Sequence, residues 1–190
     1  MTISLRKLSS FFFRKHSRLI AEINSNAMMV EWHKERAIAN IFPHRFDLYQ
    51  HVYNAHCGKN IDYIEFGVWW GETLFKWAEM NADEQSRFFG FDSFEGLPEA
   101  WDCIRSPTLP KGSFSASGQI PETTDERIRF VKGLFQDTLH SFRREYTPQN
   151  PLVIHVDCDI YSSSLYCLTQ MDELIIPGTL VLFDEFMFFT

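Results

Sequence analysis

The 190-residue chain has four cysteines and no Cys-x-x-Cys pair among them. That removes the common zinc-knuckle and disulfide frameworks and makes a reducing cytoplasm the default location. Cys158 and Cys167 fall on or beside an expected strand and helix, where buried packing is the better account of both. The chain also lacks an apolar run long enough to span a bilayer, so no membrane-spanning helix is expected. Its start, residues 1–15, is basic with a short apolar patch. It has neither a full apolar core nor a small-residue cleavage site, and it does not read as a signal peptide. Positive charge is scarce where it would matter. The net charge is −7, and residues 60–190 hold nine Lys/Arg against twenty-one Asp/Glu. Such an acidic body argues against a nucleic-acid substrate, which needs a basic face for its phosphates.

What is present is apolar and aromatic. Hydrophobic residues make up 45% of the chain and nineteen are Phe, a composition that suits one globular domain with a real core. Residues 1–59 run the other way in charge, with nine Lys/Arg against four Asp/Glu. Such a leader can meet a membrane surface or a nucleic acid. The favoured reading is a solvated helical arm packed on its own domain, with Leu19, Ile20, Ile23 and Met28 at mixed three-and-four spacing. His44, His51 and His56 form no ligand set and read as surface or satisfied histidines.

The segment Ile61-Asp-Tyr-Ile-Glu-Phe-Gly-Val-Trp-Trp-Gly-Glu-Thr73 reads as a buried strand, an acidic residue, a glycine-rich turn and a helix start. Gly67 lets the chain bend and admits close approach to its backbone, and the following helix points free N–H groups outward. The pattern Glu65-x-Gly67-x-x-x-Gly71-x-Thr73 suits a nucleoside cofactor, with a plain structural turn as the alternative. A second apolar strand, Phe88–Phe91, ends in Asp92, 25 residues beyond Gly67. An acidic residue there either grips ribose hydroxyls or caps the next turn, and the two roles are compatible.

The alternation continues with strands at Ile128–Lys132, Leu152–Asp157 and Thr179–Phe183 and helices at Thr73–Asn81, Leu139–Glu145 and Ser162–Leu174. Repeated β-then-α units predict an α/β fold with a doubly wound, mainly parallel sheet. The expected division is a helical arm at 1–59 and a cofactor-binding core at 60–190. His155, inside the fourth strand, reads as a hydrogen-bonded core histidine. Residues 101–125 are rich in Pro, Gly, Ser and Thr and form a candidate lid.

Ligands of such sheets bind beyond the carboxyl ends of the strands. Glu65, Asp92, Asp157 with Asp159, and Asp184 with Glu185 each follow an apolar run and should converge on that edge. Gathered carboxylates are unfavourable unless something cationic or proton-donating sits among them. Glu65 and Asp92 suit a nucleoside; Asp157, Asp159, Asp184 and Glu185 suit a hard divalent cation. The alternative is that some of them cap helices or face solvent.

Glu65-Phe-Gly-Val-x-x-Gly71, Gly90-Phe-Asp-Ser-Phe-Glu-Gly-Leu-Pro-Glu99, Lys111-Gly-Ser-Phe114, Gly133-x-Phe-x-Asp-Thr138, His155-Val-Asp-Cys-Asp-Ile-Tyr-Ser-Ser163 and Pro177-Gly…Asp-Glu185 occur in this order. Together they resemble the macrocin O-methyltransferase family, class I S-adenosylmethionine-dependent enzymes that methylate sugar hydroxyls of natural products. The resemblance implies a Rossmann-like fold and a small-molecule hydroxyl acceptor. It implies that Glu65, Gly67, Gly71 and Thr73 hold the amino-acid part of S-adenosylmethionine. Asp92 and Ser93 would bind its ribose, and Gln136 and Asp137 would lie near its adenine. Asp157, Asp184 and Glu185 would bind Mg²⁺ beside Asp159, and Asp157 would also accept the acceptor's proton. Glu185 departs from the family's usual Asp.

The resemblance further implies a helix and two edge strands after the fifth strand, which these 190 residues do not contain. A shortened product, a fragment of a longer chain, and pairing with another subunit that covers the fifth-strand edge are the three explanations. The competing functional reading is therefore a non-catalytic methyltransferase-like binding or partner protein. An NAD-type dehydrogenase is disfavoured, because Gly67-x-x-x-Gly71 is not Gly-x-Gly-x-x-Gly.

Overall fold

The structure, a computed structural model, describes residues 17–35, 40–58, 60–102 and 108–184. Two compact units divide the chain, Met1–Ile41 with Asp102–Leu109, and Phe42–Trp101 with Pro110–Thr190. In the first, helix α1 (Ser17–Glu35) exposes Leu19, Ile23 and Met28 and carries a Lys34–Glu31 ion pair at 3.0 Å. No helix among the described residues is long and apolar enough to cross a membrane.

The second unit opens with α2 (Arg45–Val52), which runs into a π turn at Tyr53–Cys57. There follow β1 (Asp62–Phe66), α3 (Glu72–Met80), β2 (Arg87–Asp92), β3 (Ile128–Lys132), α4 (Phe135–Glu145), β4 (Leu152–Val156), α5 (Tyr161–Met171) and β5 (Leu180–Phe183). The strands form one parallel sheet in the order β3-β2-β1-β4-β5. β1 and β4 are buried along their whole length, as central parallel strands are. The chain winds outward from β1 to β3 and then returns to place β4 against the other side of β1. The crevice between the carboxyl ends of β1 and β4 is thus the topological switch point.

Strand alternation sends successive side chains to opposite faces. Ile64 and Phe66 of β1 join Phe91, Leu139, Phe142, Ile154 and Met171 in a core beneath α4 and α5. Ile61 and Tyr63 join Tyr49, Leu74, Trp77, Phe88 and Val153 in a second core beneath α2 and α3. The doubly wound fold expected from the sequence is therefore present.

Two local details differ from the sequence reading. Helix α4 begins at Phe135, four residues before the expected Leu139, which places Gln136 and Asp137 in its first turn. No side chain caps that end, so the usual start signal is absent. Part of the candidate lid is also fixed. Leu97 N–H donates to Ser113 O (2.8 Å), Gly112 N–H to Leu97 O (2.9 Å) and Ala116 N–H to Phe94 O (3.1 Å). A Cβ on Gly96 would lie 2.4 Å from Ser113 O, so only glycine lets the two segments close on each other.

Candidate cofactor and metal site

A cavity of about 280 Å³ opens at the carboxyl edge of the sheet. Its wall brings together Glu65, Gly67, Thr73, Asp92, Ser93, Gln136, Asp157, Asp159 and Asp184, residues drawn from strand ends and two helix starts. Gly71 and Asp137 are not on the wall. Gly71 caps α3 in a left-handed conformation (φ 84°), and Asp137 is exposed in the first turn of α4. Glu185 lies outside the described residues.

The glycine turn is held from two sides. Gly67 has φ 92°, and a Cβ there would fall 1.7 Å from the carbonyl oxygen of Asp157. The close approach that glycine allows is thus that of β4's own exit. Asp92 accepts three backbone N–H groups: Val68 (2.7 Å) and Trp69 (2.8 Å) on one oxygen, Phe94 (2.7 Å) on the other. Capping of its own turn and bracing of the β1–α3 turn are both realised, and the residue still lines the cavity.

Glu65 is buried, and Tyr63 donates its hydroxyl to Glu65 Oε2 at 2.6 Å. The Tyr63 oxygen lies 2.9 Å from His155 Nδ1, and His155 Nε2 lies 3.4 Å from the Tyr49 hydroxyl. His155 is the buried, hydrogen-bonded core histidine expected. Burial alone would lower its pKa, but the hydrogen bond and charge of Glu65, with Asp157 and Asp184 behind it, raise it. Burial and the neighbouring carboxylates keep the Tyr49 and Tyr63 phenols protonated.

Ligand atoms of His155, Asp157 and Asp184 lie within 4.8 Å of one another. Burial, then the Asp184 charge, push the Asp157 carboxyl up to about 7. Burial and the same Asp184 push Asp159 up to about 6. Crowded carboxylates of this kind are relieved by a cation. Their oxygen donors suit a hard divalent ion, while both His155 nitrogens face tyrosine hydroxyls.

Two sets of residues escaped the sequence reading. Arg45, from α2, is the cation that the converging carboxylates call for, 3.3 Å from Asp184 and 3.8 Å from Asp157. Only the demand for a counter-charge hinted at it. Trp69, Trp70 and Phe114 form an aromatic side of the cavity, 48%, 49% and 44% exposed. The Trp69 and Phe114 rings meet edge to face at 6.0 Å, and both residues hold left-handed backbones (φ 50° and 60°). The adjacent tryptophans were a visible signal, read only as part of a turn.

The sheet order and the site at its switch point define a Rossmann-like fold. The solved structure described as CalS11, a calicheamicin methyltransferase, superposes with a TM-score of 0.56 at 25% identity, over 74% of this chain and 62% of that one. The chain belongs to the macrocin-O-methyltransferase (TylF) family, whose model matches residues 36–190. It is 29% identical over 142 residues to the 8-demethyl-8-(2,3-dimethoxy-alpha-L-rhamnosyl)-tetracenomycin-C 4'-O-methyltransferase of Streptomyces olivaceus. That alignment covers 66% of this chain and 52% of the relative, so the chain spans about half the length of the curated relative it matches.

Proposed function

We propose that this chain is the cofactor-binding core of an S-adenosylmethionine-dependent, Mg²⁺-assisted O-methyltransferase acting on a hydroxyl of a sugar or another small natural product. One observation carries the reading: residues of the glycine turn, the β2 end, the α4 start and the Asp157–Asp184 pair line a single cavity at the switch point. In this division residues 60–190 are the core and 1–59 a preceding arm, of which 42–59 form one compact unit with the sheet, where α2 contributes Arg45 and Tyr49 to the site. The family match and the named relatives support the reaction class.

The residues present fit both groups. Glu65, Gly67, Gly71 and Thr73 would hold the amino-acid part of S-adenosylmethionine. Asp92 and Ser93 would hold its ribose, with Gln136 and Asp137 toward its base. Asp157 and Asp184, with Asp159 and Glu185, would hold Mg²⁺. When bound, the cofactor supplies a methyl activated on a sulfonium, and the metal supplies positive charge that orients and acidifies an acceptor hydroxyl. The chain's own part is alignment and proton handling. Glu65, fixed by Tyr63 and lining the cavity, would accept from the cofactor's amine. Asp157, on the cavity wall, would take the proton of the acceptor hydroxyl. Trp69, Trp70 and Phe114 offer the acceptor ring an apolar wall that excludes water.

Calorimetric titration with S-adenosylhomocysteine, with and without Mg²⁺, tests the binding. Methyl incorporation into rhamnosyl acceptors tests the reaction. Submicromolar-to-micromolar binding strengthened by Mg²⁺ is expected, and a folded sample that binds no S-adenosylhomocysteine refutes the assignment.

A further inference from the structure

Arg45 joins an anchored root to a free tip. It is the first residue of α2, a helix held in place by Phe46, Tyr49 and Val52 packing on the core. Its side chain, however, is 45% exposed, and the guanidinium reaches three carboxylates on three different elements. These are Asp184 Oδ1 after β5 at 3.3 Å, Asp157 Oδ2 after β4 at 3.8 Å and Glu72 Oε2 at the start of α3 at 3.9 Å. The first two belong to the carboxylate pair assigned above to Mg²⁺; the third stands on the helix that follows the glycine turn.

We propose that Arg45 is an internal counter-cation that competes with the divalent ion for Asp157 and Asp184. It draws the two carboxylates together before the ion binds. When the ion arrives, the guanidinium withdraws toward Glu72, which is 69% exposed and free to follow it. A guanidinium and a doubly charged ion cannot both contact the same two carboxylates without strong repulsion. Even when screened as in bulk water, at roughly 5 Å that repulsion corresponds to about tenfold in ion affinity. The charge relay also links ion entry to the turn that begins α3, so the ion and cofactor halves of the cavity share one mobile side chain. This inference rests on the assignment of Asp157 and Asp184 as metal holders.

The test is calorimetric titration of Mg²⁺ and Mn²⁺, without any S-adenosyl compound, into the whole chain and its Arg45→Lys, Arg45→Gln, Glu72→Gln and doubly substituted variants. Circular dichroism checks that each is folded. Arg45→Gln is expected to bind either ion about tenfold more tightly and to melt at a lower temperature when ion-free. Arg45→Lys should behave like the unaltered chain. Glu72→Gln alone should weaken ion binding, and should have no effect once Arg45 is Gln. Equal or weaker ion binding by a folded Arg45→Gln variant overturns the proposal while leaving the metal assignment standing. Absence of ion binding in every variant overturns both.

Discussion

Replacing Gly67 with Ala should damage fold and site together, and its cost follows from the geometry. At φ 92° an L-residue sits in a backbone region it seldom adopts, a cost of about 1–2 kcal/mol. The new Cβ would lie 1.7 Å from Asp157 O, 2.6 Å from Asp157 C and 3.2 Å from Cys158 Cα. All three are backbone atoms, so no side-chain rotation gives relief. The exits of β1 and β4 must part, which strains the hydrogen bonds Gly67 N–H to Phe91 O and Asp157 N–H to Phe66 O, both 2.9 Å. Each such bond contributes about 1 kcal/mol. The sum, roughly 3–4 kcal/mol, is a large part of the ~5–15 kcal/mol that holds a domain together. A fall in melting temperature of about 10 °C is expected, with S-adenosylhomocysteine binding lost in what remains folded, because the glycine turn assigned to the cofactor is displaced. Gly178→Ala is the matched control, since Gly178 has φ 101° and a methyl added there would meet no atom within 4 Å. It should show the conformational cost alone. Differential scanning calorimetry compares the two, and a Gly67→Ala protein melting within about 2 °C of Gly178→Ala would refute the reasoning.

Three further outcomes are expected. Asp62 is buried and accepts from the Arg87 guanidinium, Tyr146 Oη–H at 2.8 Å, the Gln149 N–H at 3.0 Å and Asn150 at 2.9 Å. Burial raises its pKa, but these donors outweigh burial and hold the carboxyl below its usual range, so its stabilisation is full above about pH 4 and lost as pH falls through the folded value. Asp62→Asn should cost about 3–5 kcal/mol in urea unfolding at pH 7, and much less at pH 2. Asp157 has the opposite sign: at about 7 it stays protonated in the fold where the unfolded chain has lost its proton, so stability falls between about pH 4 and 7 by up to ~4 kcal/mol. Asp184→Asn removes the second of the causes, and the same pH series should show a shallower fall. Trp69→Gly removes an aromatic wall from a left-handed position (φ 50°) that glycine occupies freely. Melting should shift by no more than a few degrees, while the KM of the acceptor in the proposed reaction rises at least about tenfold; an unchanged KM would take Trp69 out of the acceptor wall.

The strands were legible because β1, β2 and β4 are apolar runs buried on both faces, and each ends beside an acidic residue at one edge of the sheet. That placed most of the carboxylates of the cavity correctly from the sequence. Arg45 was not legible, because the charge that answers those carboxylates lies 139 positions from Asp184 and has no local pattern around it. The start of α4 was missed for a related reason. Leu134 stands where a capping side chain would be expected, and Gln136, Asp137 and Thr138 read as loop. The motif residues themselves carry a lesson about what a motif encodes. Gly67 makes room for the backbone of β4, and Asp92 gathers the N–H groups of Val68, Trp69 and Phe94. Together they tie the ends of β1, β2 and β4 into one rim before any ligand arrives. The same residues that a ligand would meet are thus those that build the crevice, and this is why substitution at either position should alter stability and binding in step. Arg45 and Glu72, at the exposed side of that rim, are where the two effects should separate.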